Sequence, residues 1–255
     1  MDGSKITILK FGRSVLQTEG DLPALVREIR RWLHVGGGVV AVISAIGSTT
    51  DALFSQAARY GGAPSQEAMA SLVATGETRS AALLSLALNG DGISTTILDP
   101  TRIDLQAEGP LLDSTLLHVN ADSIRLALDE FAVAVAPGFV ARSGNGYTVL
   151  LGRGGSDLTA LFLADRLQAC CCRLIKDVDG LYETDPNSAN GSRPRRFRNM
   201  HWEDALRVDG RVVQHKAIQF AALRGMAFEV TALAHDDATT VGSNQSTFFS
   251  ERSAQ

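Results

Sequence analysis

The most specific segment of the sequence is Leu151-Gly152-Arg153-Gly154-Gly155-Ser156-Asp157-Leu158-Thr159-Ala160. Three glycines in four positions follow an apolar segment and precede a helical pattern, which predicts a strand, a tight turn and a helix. Glycines let the backbone approach an anion closely, and the helix N-terminus adds a partial positive charge. We expect Ser156 to cap this helix and Arg153 to offer a planar fork suited to a carboxylate.

Two other interpretations of the glycine run remain. A dinucleotide-binding turn is one, although the spacing G-x-G-G-x-D differs from G-x-G-x-x-G and the run lies late in the chain. A purely structural glycine turn is the other.

Outward from this run, strand patterns alternate with helical patterns along the chain. Lys5–Lys10 ends at a glycine turn, and Val39–Ile43 is a continuous apolar run typical of a parallel strand covered on both faces. Further strands are predicted at 93–98, 131–136, 147–151, 173–176 and 227–232, with helices at 21–34, 49–60, 65–88, 121–130, 156–167 and 213–223. The alternation predicts an α/β fold, a three-layer α/β/α sandwich with a mostly parallel central sheet, whose ligands bind at the carboxyl ends of the strands.

Composition restricts the class of protein. Of 255 residues, 45% are hydrophobic and 20% charged, which is typical of one folded globular domain. The net charge of −4 gives no general attraction to nucleic acid or to an anionic membrane. No apolar run reaches the ~18–20 residues that span a bilayer and no signal peptide is evident, so we expect a cytoplasmic location. The consecutive cysteines 170–172 are expected to be buried and reduced rather than to bind zinc.

Four other segments carry candidate functional residues, and three of them precede the glycine run. Lys10 precedes the turn at Gly12, which could cradle a phosphoryl group, although a solvated strand end is the commoner meaning of such a lysine. Thr49 or Thr50 could cap the next helix, and Glu77 is a carboxylate in an otherwise apolar helix that could equally be exposed.

The segment Lys176–Asp185 leads from a strand into a turn-rich loop. Asp177 and Asp185 could accept hydrogen bonds from a ribose or a base, and Tyr182 could cover a ring. An ordinary Asp-Gly turn is the alternative.

Taken in order, these motifs resemble the successive signatures of aspartate kinases. The matching segments are Lys10-Phe11-Gly12, Ser44-Ala45, Thr50-Asp51, Gly76-Glu77, Pro137-Gly138-Phe139, Leu151–Asp157 and Asp177–Pro186. The resemblance implies the amino acid kinase, or carbamate kinase-like, fold over residues 1–242, with acceptor binding in about 1–145 and nucleotide binding in about 146–242. The implied reaction is transfer of the γ-phosphoryl group of ATP to the side-chain carboxylate of L-aspartate.

The resemblance also implies residue roles. Lys10, assisted by Gly12, would neutralise the transferring phosphoryl group, and Asp157 would orient this lysine. Arg153 would bind the α-carboxylate of the amino acid and Glu77 its α-ammonium group. Hydroxyl groups assigned to the acceptor site are those of Ser44, Thr50 and Ser156.

For the nucleotide, the resemblance implies a second set of residues. These are Lys176, Asp177, Tyr182, Asp185 and Arg211. Mg²⁺ would be held mostly by ATP and water, with no metal ligands from the protein. A homodimer is implied, residues 243–255 are expected to form a polar tail, and no ACT domains are expected after them.

Two alternatives to an aspartate kinase stay open. One is a kinase of the same fold that acts on another amino acid or small carboxylate. The other is a catalytically impaired nucleotide-binding regulatory subunit, motivated by three departures from the family pattern. The turn after Gly12 is one residue shorter, Lys176 stands where threonine is common, and Asn187 replaces an arginine.

Overall fold

The computed structural model describes residues 5–60, 65–185, 194–208 and 212–250. Thirteen strands lie within these residues: β1 (Ile6–Phe11), β2 (Gly38–Ile43), β3 (Thr95–Ile97), β4 (Gln106–Glu108), β5 (Thr115–His118), β6 (Val133–Pro137), β7 (Val140–Arg142), β8 (Thr148–Leu150), β9 (Cys171–Lys176), β10 (Phe197–Met200), β11 (Phe228–Ala232), β12 (Thr239–Val241) and β13 (Thr247–Phe248). The helices of the same residues are α1 (Leu22–Val35), α2 (Thr49–Ala58), α3 (Gln66–Gly90), α4 (Ala121–Glu130), α5 (Gly155–Leu167), α6 (Trp202–Arg207) and α7 (His215–Arg224). Every predicted strand and helix is therefore present.

Nine strands form the central sheet in the order β13-β10-β12-β11-β9-β1-β2-β6-β3. The six strands from β11 to β3 are all parallel, whereas β12 and β13 are antiparallel to the neighbours β11 and β10. The mostly parallel sheet predicted from the sequence is confirmed. Because the central strands run in one direction, the carboxyl ends of β1, β2, β6 and β9 meet at one edge.

Side chains of the central strands alternate between two apolar cores. Ile6 and Ile8 of β1 pack in the core on the side of α5 and α7, whereas Leu9 and Phe11 pack in the core on the side of α1 and α3. This is the period of two that an extended strand requires. Helices thus cover both faces of the sheet, which makes the three layers.

A second sheet of four strands, in the order β5-β4-β7-β8, was not predicted. Only β8 corresponds to a predicted strand, 147–151. The other three strands are three or four residues long, too short for a period of two to be recognised in the sequence. Val140 and Leu150 attach this sheet to α3 by packing against Ala70 and Val73. The sheet extends the half of the molecule that was predicted to bind the acceptor.

Several local predictions are corrected. Ser156 does not cap α5, because the cap residue is Gly154, whose φ of 76° is a left-handed conformation that suits glycine. The residue before α2 is Ser48, and the Thr49 hydroxyl donates to the carbonyl of Ile46 instead of capping the helix. Of the three cysteines only the third is buried, and the first is exposed.

The end of the chain contains more structure than a polar tail. Thr247–Phe248 forms β13, which pairs antiparallel with β10. Among the described residues no helix is long and apolar enough to cross a membrane.

Candidate active site

A buried ion pair joins the end of β1 to the first turn of α5. Ile6, Ile8 and Lys10 are every second residue of β1, so their side chains share one face of the strand. The side chain of Lys10 therefore points to the α5 side of the sheet. Asp157 stands in the first turn of α5, where a carboxylate also interacts favourably with the helix dipole. The Nζ atom of Lys10 lies 2.6 Å from Oδ1 of Asp157, and both side chains are almost fully buried. Two segments about 150 residues apart in the chain thus meet at the carboxyl edge of the sheet.

A second lysine binds the same carboxylate. The Nζ atom of Lys176 lies 2.8 Å from Oδ2 and 3.1 Å from Oδ1 of Asp157, and this lysine is also buried. It ends β9, the strand beside β1, and points to the same face as Cys172 and Leu174. The resemblance implied a contact of Lys176 with nucleotide, but its pairing with Asp157 was not predicted.

The pKa values of the ion pair reflect its surroundings. Burial, together with the charge of Lys176, lowers the pKa of Lys10 to about 8, although Asp157 opposes the decrease. Burial alone would raise the pKa of Asp157. The charges of the Lys10 and Lys176 ammonium groups have a larger and opposite effect, and the pKa falls to about 2. The carboxylate therefore stays ionised at every physiological pH.

The turn after β1 leaves room for the lysine. A Cβ atom on Gly12 would lie 3.0 Å from the Nζ atom of Lys10, so any larger residue would crowd the ammonium group. The turn continues into a short 3₁₀ helix, Arg13–Val15, and Arg13 forms an ion pair of 2.7 Å with Asp51 of α2. The glycine therefore keeps the lysine accessible from the turn.

A cavity of about 570 Å³ opens beside the two lysines. Its lining includes Lys10 and Gly12 together with four of the residues predicted to contact the nucleotide, which are Lys176, Asp177, Tyr182 and Asp185. Part of the lining is apolar, including Leu181, Val208 and Val212. Arg211, which was also predicted to contact the nucleotide, lies outside the described residues.

Tyr182 is held in place within this loop. Its hydroxyl lies 2.7 Å from Oδ1 of Asp179, whose other oxygen accepts a hydrogen bond of 2.6 Å from Arg196. Burial raises the pKa of Asp179, but the hydrogen bond from Tyr182 and the charge of Arg196 bring it below its ordinary value. The loop is thus joined by a charged hydrogen bond to Arg196, the residue immediately before β10.

Glu77 lies in α3 with 3% of its surface exposed. Its Oε1 atom accepts a hydrogen bond of 3.3 Å from the backbone N–H of Ala45, but Oε2 has no partner among the described residues. Burial raises the pKa of Glu77 to about 7, against the hydrogen bond from Ala45 and the positive charge of Lys10. A buried carboxylate oxygen without a partner is costly, which makes it a place for a cationic group of a ligand.

Glycine again permits the close approach that places Glu77. A Cβ atom on Gly76 would lie 3.1 Å from the Cβ atom of Ala45, so α3 can pass directly over the end of β2. Ser44 is buried beside this contact, and Thr50 is half-buried in the first turn of α2. The predicted acceptor residues Ser44, Thr50 and Glu77 therefore gather around the end of β2.

Arg153 is exposed in the turn before α5 and forms no ion pair with any residue in the described part of the chain. It is not among the described residues that line the cavity. Ser156 lies against Gly138, where an added Cβ would come within 2.8 Å of its hydroxyl oxygen. The turn thus contributes an exposed guanidinium group, four residues before Asp157.

A contact that the sequence did not indicate braces the glycine turn. Lys216 of α7 donates to Oδ1 of Asp113 at 2.8 Å and to the carbonyl of Leu151 at 2.9 Å. At Gly152, whose φ is 68°, an added Cβ would lie 2.0 Å from the same Asp113 oxygen. No local sequence signal could have paired Lys216 with Asp113, because the two residues lie about 100 positions apart.

Comparisons with known proteins identify the family of the chain. The sequence model of the amino acid kinase family matches residues 5–228. The chain is 31% identical to the aspartokinase of Pseudomonas aeruginosa over 219 residues, which cover 85% of this chain and 53% of that protein. It is 32% identical to an aspartokinase of Thermus thermophilus over 231 residues, 88% of this chain and 56% of that protein. The chain thus spans about half the length of these relatives.

Solved structures give the same result for the fold. Aspartate kinase from Synechocystis superposes with a TM-score of 0.78 at 28% identity, covering 93% of this chain and 40% of that one. E. coli aspartokinase III in complex with aspartate and ADP superposes with a TM-score of 0.78 at 19% identity, covering 94% of this chain and 65% of that one. The resemblance and the fold predicted from the sequence are confirmed.

Proposed function

This chain belongs to the amino acid kinase family, and from that premise we propose that it transfers the γ-phosphoryl group of ATP to the side-chain carboxylate of L-aspartate. The products are ADP and 4-phospho-L-aspartate. One observation carries the proposal: Lys10, Lys176 and Asp157 form a buried group with one excess positive charge beside a cavity. The similarity to aspartokinases over more than four fifths of the chain supports aspartate as the acceptor.

The lining of the cavity fits a nucleoside triphosphate. Val208 and Val212 offer apolar surface for a base, and Tyr182 offers a ring. The carboxylates of Asp177 and Asp185 are suited to ribose hydroxyl groups. Mg²⁺ would arrive with ATP and neutralise part of the phosphate charge.

Glu77 supports an amino acid as the acceptor. Its unpartnered Oε2 atom can accept a hydrogen bond from an α-ammonium group, which would relieve a buried and unsatisfied oxygen. Arg153, exposed and without an ion pair in the described part of the chain, is suited to the α-carboxylate. With both ends of the amino acid held, its side-chain carboxylate is directed to Lys10.

The proposed transfer needs no covalent intermediate on the protein. A carboxylate oxygen of aspartate attacks the γ-phosphorus while the bond to the β,γ-bridging oxygen breaks, and ADP leaves with that electron pair. Lys10 stabilises the charge on the transferring group, and Asp157 holds the lysine in position. Positioning and charge stabilisation are the main requirements of phosphoryl transfer.

Hydroxylamine trapping tests the proposal. An acyl phosphate reacts with hydroxylamine to give a hydroxamate and phosphate, and the hydroxamate forms a coloured complex with added iron(III). We expect hydroxamate to form with aspartate and ATP, and not to form with Lys10→Ala. If wild-type protein forms no more hydroxamate than Lys10→Ala, the proposal is wrong.

ADP release measured across the twenty amino acids and several dicarboxylates separates the alternatives. Release with another acceptor alone would indicate a kinase of different specificity. ATP binding without turnover on any acceptor would indicate a regulatory subunit.

We also propose the cytoplasm as the location, where ATP and free aspartate are both available, and a homodimer as the assembly. The family resemblance supports both. Light scattering on the purified chain would check the assembly, and the mass of a monomer at micromolar concentration would contradict it.

A further inference from the structure

The buried charges around Asp157 do not balance. Lys10 already lies 2.6 Å from this carboxylate and is sufficient to neutralise it. Lys176 adds a second ammonium group at 2.8 Å, and it is buried almost as completely. An uncompensated buried charge is costly, so a second lysine is not explained by the need to pair Asp157.

The remaining titratable neighbour does not remove the excess. Glu77 is the other carboxylate that faces Lys10, and burial brings its pKa to about 7, so it is only partly ionised near neutral pH. In the proposed function this carboxylate is also matched by the ammonium group of the acceptor. The positive charge beside the cavity is therefore left for an anion.

Strand register shows where that anion would meet each lysine. Lys10 of β1 is paired with Leu174 of β9, so Lys176 lies two residues further along its strand. Two residues of a strand correspond to roughly 7 Å at the Cα atoms. Lys176 therefore approaches Asp157 from the side of the loop that begins at Asp177, whereas Lys10 approaches from the Gly12 turn.

We propose that Lys176 is a second catalytic cation, which binds the phosphate chain on the nucleotide side of the transferred group while Lys10 binds that group on the acceptor side. Asp157 is the positioning residue that holds both ammonium groups at once. Fixed cations placed in advance stabilise the charge that moves to the leaving oxygen without reorganising during the reaction. The inference rests on the proposed kinase function and extends it.

Substitution of Lys176 by methionine keeps most of the volume and removes the charge. We expect kcat to fall about 100-fold, the typical effect of removing one preorganised donor, while KM for aspartate changes less than threefold. Lys176→Ala should behave similarly and should recover activity when propylammonium is added. A merely structural lysine would not be rescued in this way.

The pH profile provides an independent readout. Lys176 lowers the pKa of Lys10, so its removal should move the alkaline limb of kcat/KM, near pH 8 in the wild type, to higher pH. The groups that face Lys10 are Asp157, Lys176 and Glu77, and the first stays ionised throughout this range.

Arg173→Met is the matched control. Arg173 is a buried cation on the same strand and is paired with Glu229 at 2.5 Å, but it is not among the described residues that line the cavity. We expect it to lower the melting temperature and to leave kcat unchanged. A loss of kcat in this control as large as in Lys176→Met would overturn the proposal.

A decrease in kcat of at least tenfold in Lys176→Met, with rescue of Lys176→Ala, supports the proposal. A smaller decrease, or a large decrease without rescue, overturns it.

Nucleotide binding separates this proposal from the choice of acceptor. Lys176→Met should weaken the binding of AMP-PNP at least tenfold and leave the binding of adenosine unchanged. If the wild type turns over no acceptor, the kinase proposal fails and this measurement decides the role of Lys176. Equal AMP-PNP affinity in both proteins would then overturn it.

Discussion

Replacement of Glu77 by glutamine tests the acceptor side of the site and should increase stability while it reduces function. Burial raises the pKa of Glu77 from 4.5 to about 7. Between these values the folded protein holds a proton that the unfolded chain has lost, so folding becomes less favourable as pH rises through this range. The difference of 7 − 4.5 pH units, at about 1.36 kcal/mol each, corresponds to about 3 kcal/mol at pH 8.

Glutamine has no charge to desolvate, so Glu77→Gln avoids this cost. Its NH₂ group takes the place of the unpartnered Oε2 atom, which costs about 1–2 kcal/mol as a buried and unsatisfied donor. We expect a net gain of about 1–2 kcal/mol at pH 8 and a net loss of up to about 1 kcal/mol at pH 5, where most of the desolvation cost is absent but the unsatisfied donor remains. Urea denaturation of both proteins at the two pH values measures the difference.

The same substitution should weaken aspartate binding. A hydrogen bond between a carboxylate and an ammonium group contributes about 1.5–3 kcal/mol, so KM for aspartate should rise about 10-fold to 150-fold. In the wild type, KM should also increase as pH falls below about 7, because Glu77 becomes protonated. The variant should lose that pH dependence.

Glu67→Gln is the control, since Glu67 is exposed in the first turn of the same helix. It should change neither KM nor the dependence of stability on pH. The reasoning is refuted if the stability difference between Glu77→Gln and wild type is the same at pH 5 and pH 8, or if KM for aspartate stays within twofold.

Three further substitutions have defined outcomes. Asp157→Asn leaves two buried lysines without their carboxylate, so the free energy of unfolding should fall by about 3–5 kcal/mol and turnover should be lost. Thermal melts and ADP release measure the two effects. A variant as stable as wild type would contradict the buried ion pairs. Gly12→Ala places a methyl group 3.0 Å from the Lys10 ammonium and should lower kcat about tenfold with little change in melting temperature, whereas unchanged kcat would show that the lysine can move aside freely. Gly152→Ala puts a Cβ where Asp113 lies and forces a left-handed φ of 68°, so it should cost about 2–3 kcal/mol in chemical denaturation, and a neutral effect would mean that the turn rearranges.

Much of the fold could be predicted from local patterns. The apolar run at 39–43 and the helical stripe of 21–34 each carry a strong period, and both became the expected elements. The second sheet was missed although its strand β8 was predicted at 147–151, because its other strands, of three or four residues, contain too few side chains to establish a period. The cap of α5 was assigned to the wrong residue because a left-handed glycine, rather than a hydroxyl, begins this helix.

The candidate site divides in the same way. The order of the motifs predicted that Lys10, Glu77 and Asp157 serve one chemistry, and that role stays a prediction. It was not sufficient to recognise Lys176 as a partner of Asp157, because that contact depends on β9 lying beside β1, two strands about 160 residues apart.

The chemical groups and the strand or helix faces on which they stand follow from the order of residues alone. An alternating strand that ends in Lys10 and a glycine turn that opens a helix with Asp157 predict a site before any contact is known. How strongly those groups act on one another depends on packing between distant segments. The sequence around Glu77 does not distinguish an exposed carboxylate from a buried one. Packing of α3 against the end of β2 excludes water from this side chain, and the resulting desolvation raises its pKa to about 7.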